Sequence, residues 1–166
     1  NIIFFSPEDL NIIKNGPAER RRFIDAELCQ LDKIYLSDLT NYNKILNQRN
    51  KLLKDLYFNP SLKETLPVWD MQLVNYGKKI IARRNQFIME LNEVVHDIHY
   101  KICGGREEMV IKYEPNIEDI FFEDELIRAK EKDLKYAQTS VGPHRDDLKI
   151  SVGDIDVRKF GSQGQQ

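Results

Sequence analysis

Glycine and proline are nearly missing from the middle of this chain. Between Ala18 and Cys103 there is one glycine, Gly77, and two prolines, Pro60 and Pro67. These residues are the strongest punctuation a sequence has, so their scarcity predicts long helices there and turn-rich ends. Cysteine is scarce as well. Cys29 and Cys103 lie far apart and form no CxxC pair, which excludes a disulfide scaffold and makes a reducing cytoplasm the default setting. An excess of one charge is absent: 25 Lys+Arg face 27 Asp+Glu, a formal net charge of −2. The chain therefore does not attract nucleic acid by bulk charge, and only local patches could. No apolar run approaches the roughly 18–20 residues that span a bilayer. There is no GxxxxGK[ST] loop, no GxSxG elbow, no HExxH and no kinase motif set, so any ATP would be met without a phosphate-cradling loop of the chain's own.

What is present suits one domain, or one with a small appendage: 166 residues, 41% of them apolar, enough for a real core. The sequence opens inside the apolar run Ile2-Ile3-Phe4-Phe5 and stops at Gln165-Gln166. Both ends are expected to continue into a longer protein.

Residues 2–5 read as a buried strand. Asn15-Gly16-Pro17 is a helix start, with Glu19 in the first turn. From Phe23 onward Leu28, Leu31, Tyr35, Tyr42, Ile45, Leu52 and Leu56 recur at threes and fours, a stripe that Asp38 and Arg49 interrupt. A break is expected near Asp32-Lys33 or at Ser37, which could cap a new helix. Asn59-Pro60-Ser61 marks a turn, and a second helix is expected from near Pro67 to about Ile102. Its Leu73, Tyr76, Ile80, Arg84, Phe87, Leu91, Val94 and Ile98 follow the alternating spacing of a coiled-coil seam. At 1.5 Å per residue such a helix is about 50 Å long, and two helices joined by a short loop must be antiparallel. Beyond Gly104-Gly105, residues 109–113 alternate as a strand and residues 120–137 read as one amphipathic helix. Residues 148–152, Gly153-Asp154 and 155–157 form a hairpin with a tight primed turn. The fold class is mixed α/β and predominantly helical, with an antiparallel helical hairpin over 17–103 inserted between chain ends 1–16 and 104–166.

Several stretches could carry chemistry. Gly161-Ser162-Gln163-Gly164-Gln165, a short turn after a strand, offers backbone N–H groups and a hydroxyl to an anion, or is a plain polar turn. Residues 139–147 pack a hydroxyl pair, a Gly-Pro turn, His144, Arg145, Asp146 and Asp147 into one loop. His144 is a candidate base and Arg145 a candidate phosphate clamp; a solvated, locally capped turn is the competing reading. Glu8 or Asp9 could reach Mg²⁺ through water, or merely support the next helix start. Lys78, Lys79, Arg83 and Arg84, with Arg20-Arg21-Arg22, could track a nucleic-acid backbone or form the solvated side of the arm. His96, His99 and Cys103 share a helix face and are zinc-type ligands, but a fourth ligand is missing, so no metal is expected.

Taken in order, Phe5-Ser6-Pro7-Glu8-Asp9-Leu10, Glu19-Arg20-Arg21-Arg22-Phe23-Ile24-Asp25, Asn41-Tyr42-Asn43, Gln48-Arg49-Asn50, Tyr76-Gly77-Lys78-Lys79-Ile80-Ile81, residues 139–148 and residues 160–166 resemble the bacterial RecF family of recombination mediators over essentially the whole chain. The resemblance implies an SMC-like, ABC-type ATPase whose head is interrupted by a helical arm. It implies ATP and Mg as cofactors of the full-length protein, with none bound by this chain alone. It also implies DNA, single-stranded or gapped, as partner, RecO and RecR as co-mediators, recombinase loading, an SOS-response role, an ATP-dependent homodimer and a cytoplasmic location. Residues 161–165 fall at the ABC signature, so Ser162, Gln163, Gly164 and Gln165 would meet the γ-phosphate held by the opposite subunit. Glu8 falls at the loop that senses Mg²⁺ and water. Walker A would precede Asn1 and Walker B would follow Gln166, so the chain is not expected to be an enzyme by itself, while its parent would be a weak DNA-dependent ATPase.

A second function class stays open beside this one. The hairpin could be a structural module that docks a protein without touching nucleic acid, with Trp69, Tyr76, Tyr57 and Phe58 as tip anchors.

Overall fold

A computed structural model of the chain describes residues 11–160. The strand expected at 2–5, Glu8, Asp9 and the turn at 161–165 lie outside the described residues. Helices α1 (Asn11–Lys14), α2 (Pro17–Leu31), α3 (Lys33–Asp55) and α4 (Leu66–Cys103) come first. Strand β1 (Met109–Glu114), helices α5 (Phe122–Arg128) and α6 (Lys130–Tyr136), strands β2 (Asp147–Val152) and β3 (Ile155–Asp156) and helix α7 (Val157–Phe160) follow. By their contacts these residues divide into two compact units.

The hairpin unit comprises Leu28–Arg83 and Pro115–Asp146. The chain breaks between α2 and α3 at Asp32, not at Ser37, because the Asp32 carboxylate accepts the N–H groups of Ile34 at 2.8 Å and Tyr35 at 3.0 Å. A side-chain acceptor at the N-cap satisfies donors that the first helical turn cannot. Along α3 the buried residues are Tyr35, Asp38, Tyr42, Ile45, Arg49, Leu52 and Leu53. Apart from Leu53 they step in strict threes and fours, so Asp38 and Arg49 sit on the core face and do not interrupt it. Arg49 pairs with Asp70, Asp38 with Lys79 and Asp32 with Arg83. Each step back along α3 is a step forward along α4, which makes the two helices an antiparallel hairpin. Residues Pro60–Thr65 between them form a 3₁₀ turn. The tip is held by Leu52, Leu53, Leu56 and Leu66, against which Leu62, Trp69, Leu134 and Ala137 pack.

The helix expected over 120–137 is broken. A 3₁₀ turn (Asp119–Phe121) precedes α5, and α5 stops at Ala129 before α6 begins. Across the break Phe122, Leu126 and Asp133 are all buried. Ala137 ends α6 in the left-handed conformation, with φ of 51°. Gly77 explains itself here. A Cβ at that position would lie 2.3 Å from Phe122 Cε1 and 3.2 Å from a Tyr42 ring carbon, so the lone glycine of the helical block is where Phe122 reaches the hairpin backbone.

Of the described residues, the sheet unit comprises 11–27, Arg84–Glu114 and 147–160. Among the described residues its three strands run in the order β1-β2-β3, antiparallel throughout, with Met109 opposite Val152 and Glu114 opposite Asp147. Gly153, with φ of 56°, makes the turn from β2 to β3, and Val157 opens α7 instead of extending the strand. Ile150, Val152 and Val157 form the core with Ile13, Met109 and Ile111. Asn92 on α4 donates to the Ile111 carbonyl at 2.6 Å and accepts its N–H at 2.8 Å, which pairs the backbone groups of Ile111 with a helix side chain. The apolar stripe of α4 is shorter than its spacing predicts. Ile80 and Ile88 are buried, whereas Val94 and Ile98 are more than half exposed.

Candidate functional site

The hairpin unit encloses an ionic centre that links three sequence-distant elements. The Arg49 side chain is wholly buried, and its Nε donates to Asp70 at 2.6 Å. Its Nη1 donates to the Asp133 carboxylate at 2.7 Å and to Thr139 Oγ1 at 2.8 Å. Asp133, also fully buried, uses its other oxygen to accept the Ser140 N–H and hydroxyl at 3.0 and 2.7 Å. Thr139 passes its own N–H and hydroxyl to the Asn50 side chain at 2.8 and 2.7 Å. A buried charge is tolerable only when paired and hydrogen-bonded in this way. The centre therefore nails the start of the 139–147 loop to α3 and α6.

The rest of that loop is equally fixed. Gly142, with φ of 132°, donates to the Asn116 side chain at 3.0 Å, and Asn116 N–H donates to buried Asp146 at 2.8 Å. His144 lies 3.1 Å from the Thr139 carbonyl through Nε2 and 2.7 Å from the Tyr42 hydroxyl through Nδ1. A carbonyl can only accept, so Nε2 carries the proton and Nδ1 accepts from Tyr42. Both ring nitrogens are committed to structure, which leaves no lone pair for the base role that the sequence suggests. Asp146 is likewise a buried structural acceptor. Arg145 is the member that faces out. It is exposed beside Lys132, Tyr136, Gln138 and Ser140 around a shallow pocket of about 300 Å³.

The four basic residues expected to track nucleic acid divide by exposure. The Lys79 side chain is half exposed, 3.7 Å from Asp38 and 5.3 Å above the Tyr76 ring; Lys78 is half-buried. Arg83 donates to the capping residue Asp32 at 3.1 Å. Arg84 is buried and forks onto both oxygens of Asp25 at 2.8 and 3.0 Å, so it presents no charge to an outside backbone. The Asp32 carboxyl lies below its ordinary value, chiefly because it accepts the Tyr35 N–H, and secondarily through Arg83 and Ile34.

In the sheet unit, Arg20 donates to Asp147 at 2.5 Å and to the Asn15 carbonyl at 2.6 Å. Arg158 joins the same carboxylate at 3.0 Å and also reaches Glu114 at 3.2 Å and Asp156 at 2.7 Å. The hydrogen bond from Arg158 holds the Asp156 carboxyl down at about 2. Burial pushes the Asp147 carboxyl up, but Arg20, the Leu148 N–H and Arg158 together outweigh it and leave it lowered. His96, His99 and Cys103 do not converge. His99 Nδ1 is 3.5 Å from Cys103 Sγ, His96 faces Glu108 at 3.6 Å, and among the described residues no group of three or more such ligands could hold a metal.

Tip residues separate as sharply. Trp69 packs into the apolar cluster, Tyr76 lies under Lys79, and Tyr57 and Phe58 are each 85% exposed. The centre around Arg49 is the feature that sequence reasoning passed over. Its signal was there: a charged residue at a stripe position that helical spacing assigns to the core.

No protein-family model matches the chain. It is 67% identical over 166 residues to the DNA replication and repair protein RecF of Agathobacter rectalis. It is 60% identical over 168 residues to RecF of Lachnospira eligens. Two solved structures of the recombination mediator protein RecF, described as RecF-ATPrS and RecF-ATP in the RecFOR pathway, superpose on 97% of it with a TM-score of 0.90 at 37% identity. The chain belongs to the RecF family. It spans about half the length of its relatives, since the curated alignments cover all of this chain but 46% of each RecF protein. The fold is accordingly the RecF one, a predominantly helical segment with an antiparallel hairpin and a small antiparallel sheet.

Proposed function

We propose that this chain supplies the helical arm (17–103) and two head segments (1–16 and 104–166) of a RecF-type protein. That protein would bind ATP with Mg²⁺ and single-stranded or gapped DNA, and help load recombinase during replication and recombinational repair. The observation that carries this reading is similarity to RecF proteins along the whole of this chain, together with a TM-score of 0.90 to a structure described as RecF-ATP. In it, Ser162, Gln163, Gly164 and Gln165 meet the γ-phosphate of a nucleotide held by the opposite subunit, Glu8 sits near Mg²⁺ and water, and the protein works as an ATP-dependent homodimer with RecO- and RecR-type mediators in the cytoplasm.

Within the described residues, Arg145 beside Lys132 supports a phosphate-proximal role for the end of the 139–147 loop. Lys78 and Lys79 are the DNA-facing candidates, because Arg83 and Arg84 are occupied by Asp32 and Asp25. Contacts of this kind are salt-dependent and largely blind to sequence. Reversing Lys78 and Lys79 in the full-length protein should weaken DNA binding and flatten its salt dependence.

Calorimetry tests the nucleotide side directly. The chain alone should give no ATP signal, and the same chain with its adjoining N- and C-terminal sequence should bind ATP and dimerise. Tight, specific ATP binding by the chain alone would overturn the trans arrangement. A second reading, the hairpin as a protein-docking module, is favoured by one observation, the exposure of Tyr57 and Phe58.

A further inference from the structure

The buried centre around Arg49 has an outer face. On α6, Asp133 is fully buried against Arg49, while its neighbour Lys132 is exposed. Ser140 is fastened to the same carboxylate through its N–H and hydroxyl. Farther along that loop, exposed Arg145 donates its backbone N–H to the Gly142 carbonyl at 2.9 Å and its Nη2 to the Thr139 carbonyl at 3.4 Å. Lys132, Tyr136, Gln138, Ser140 and Arg145 line one shallow pocket of about 300 Å³, with two cations and no carboxylate in its wall. The Tyr136 ring is 64% exposed, and Lys135 Nζ lies 5.4 Å from its centroid. The single carboxylate that could offset these lysines from within α6 without being buried is Glu131, because Asp133 is already spent on Arg49.

We infer that this pocket holds one nucleotide unit of a single DNA strand, with the phosphate between Lys132 and Arg145 and the base against the Tyr136 ring. A guanidinium fork and an ammonium suit a phosphate, and an exposed aromatic face beside them is the stacking element that a lone anion has no use for. A duplex offers the same phosphates but keeps its bases paired and stacked away from such a ring. The pocket is shallow, which suits a strand that passes over it better than a mononucleotide that must be enclosed. Both walls are tied to the buried Arg49–Asp133 centre, so the backbone that carries the cations is in place before a strand arrives and little ordering is left to oppose binding. The inference rests on the DNA-binding reading above and deepens it: phosphate contacts alone are blind to strand type, and Tyr136 supplies a preference for unpaired bases.

The experiment is fluorescence anisotropy of the full-length protein, with ATP and Mg²⁺ present, against a labelled single-stranded oligonucleotide and a blunt duplex of equal length across a salt series. Tyr136→Ser should weaken single-strand binding about fivefold or more, leave duplex binding and both salt slopes unchanged, and be rescued by Tyr136→Trp. Lys132→Gln with Arg145→Gln should weaken both ligands and lower the slope of log affinity against log salt by about 1 or more. The rescue guards against a variant that merely misfolds, since a misfolded protein would lose the duplex as well. If the wild type binds the single strand and neither variant changes that, the inference falls while the DNA reading stands. If the wild type binds no DNA at any salt, the DNA reading falls with it. A Tyr136→Ser variant that loses single strand and duplex equally overturns the stacking role. Loss of ATP affinity in calorimetry with DNA binding intact would assign the pocket to a free nucleotide and also overturn the inference.

Discussion

Arg49 and Arg158 do the same chemistry in different surroundings. Each guanidinium gathers more than one carboxylate and a neutral acceptor. Arg49 and Asp133, however, have no exposed side-chain surface, whereas Arg158 retains 13% and its partner Glu114 41%. The lesson is that burial, more than bond count, sets what such a network is worth. Arg158 has the longer list of partners, yet water can replace part of what it does. Nothing can replace Arg49 beside Asp133.

The sharpest break of that comparison is Arg49→Met, which leaves Asp133 buried without its counter-charge. A loss of about 3–5 kcal/mol is expected in urea unfolding, and adding Asp133→Leu should recover a large part of it. If the double variant is no better than the single one, the pairing is not what holds this site. Two glycines come next. Gly142→Ala combines a left-handed φ with a Cβ 2.6 Å from the Tyr42 hydroxyl and 2.9 Å from Phe122 Cζ, and should cost about 2–4 kcal/mol. Gly77→Ala meets Phe122 still more closely, at 2.3 Å, but it needs no left-handed φ and gains about 1 kcal/mol of helix propensity, so its net cost should be smaller, about 1–2 kcal/mol. Equal melting temperatures for the two variants would show that φ matters less than crowding.

Arg158→Met should cost about 1–2 kcal/mol, and that cost carries a pH signature. The Asp156 carboxyl is held at about 2 against an ordinary 3.8. A depressed carboxylate stabilises the fold fully above its unfolded value, and the contribution drains away as pH falls through the folded one. Urea midpoints measured from pH 5 down to pH 2 should therefore fall, and less steeply in the Arg158→Met variant. Identical slopes would remove Arg158 from the acid response. The smallest effect belongs to Lys79→Ala. A half-exposed lysine 3.7 Å from Asp38 should be worth less than about 1 kcal/mol to stability; a larger loss would mean that surface pairs hold the hairpin as firmly as buried ones.

Much of the fold was legible from residue spacing. The Asn15-Gly16-Pro17 start, the long helix to Cys103, the strand at Met109 and the turn at Gly153 all follow from breakers and periodicity. The split of 120–137 was not legible, because Ala129 is a good helix former and the buried face continues past it. Nor was the end of the α4 seam, since Val94 and Ile98 keep the spacing after the buried row has stopped. The site was legible as chemistry and illegible as assignment. Residues 139–147 were recognisable as a dense polar loop, but which of its groups face inward depends on Tyr42, Arg49, Asn116 and Asp133, all far away in sequence.

Helix spacing, a break near Asp32-Lys33 and the family likeness were thus written in the chain itself, because each depends on residues within a few positions of one another or on order along the sequence. Only the tertiary structure decided that Arg49 and Asp38 belong to the core face, that His144 is spent on Tyr42 and Thr139, and that Arg84 is withheld while Arg145 and Tyr57 are offered. Those outcomes rest on pairing across tens of residues, where a charge is buried only if its partner arrives, and local sequence does not say which partner will.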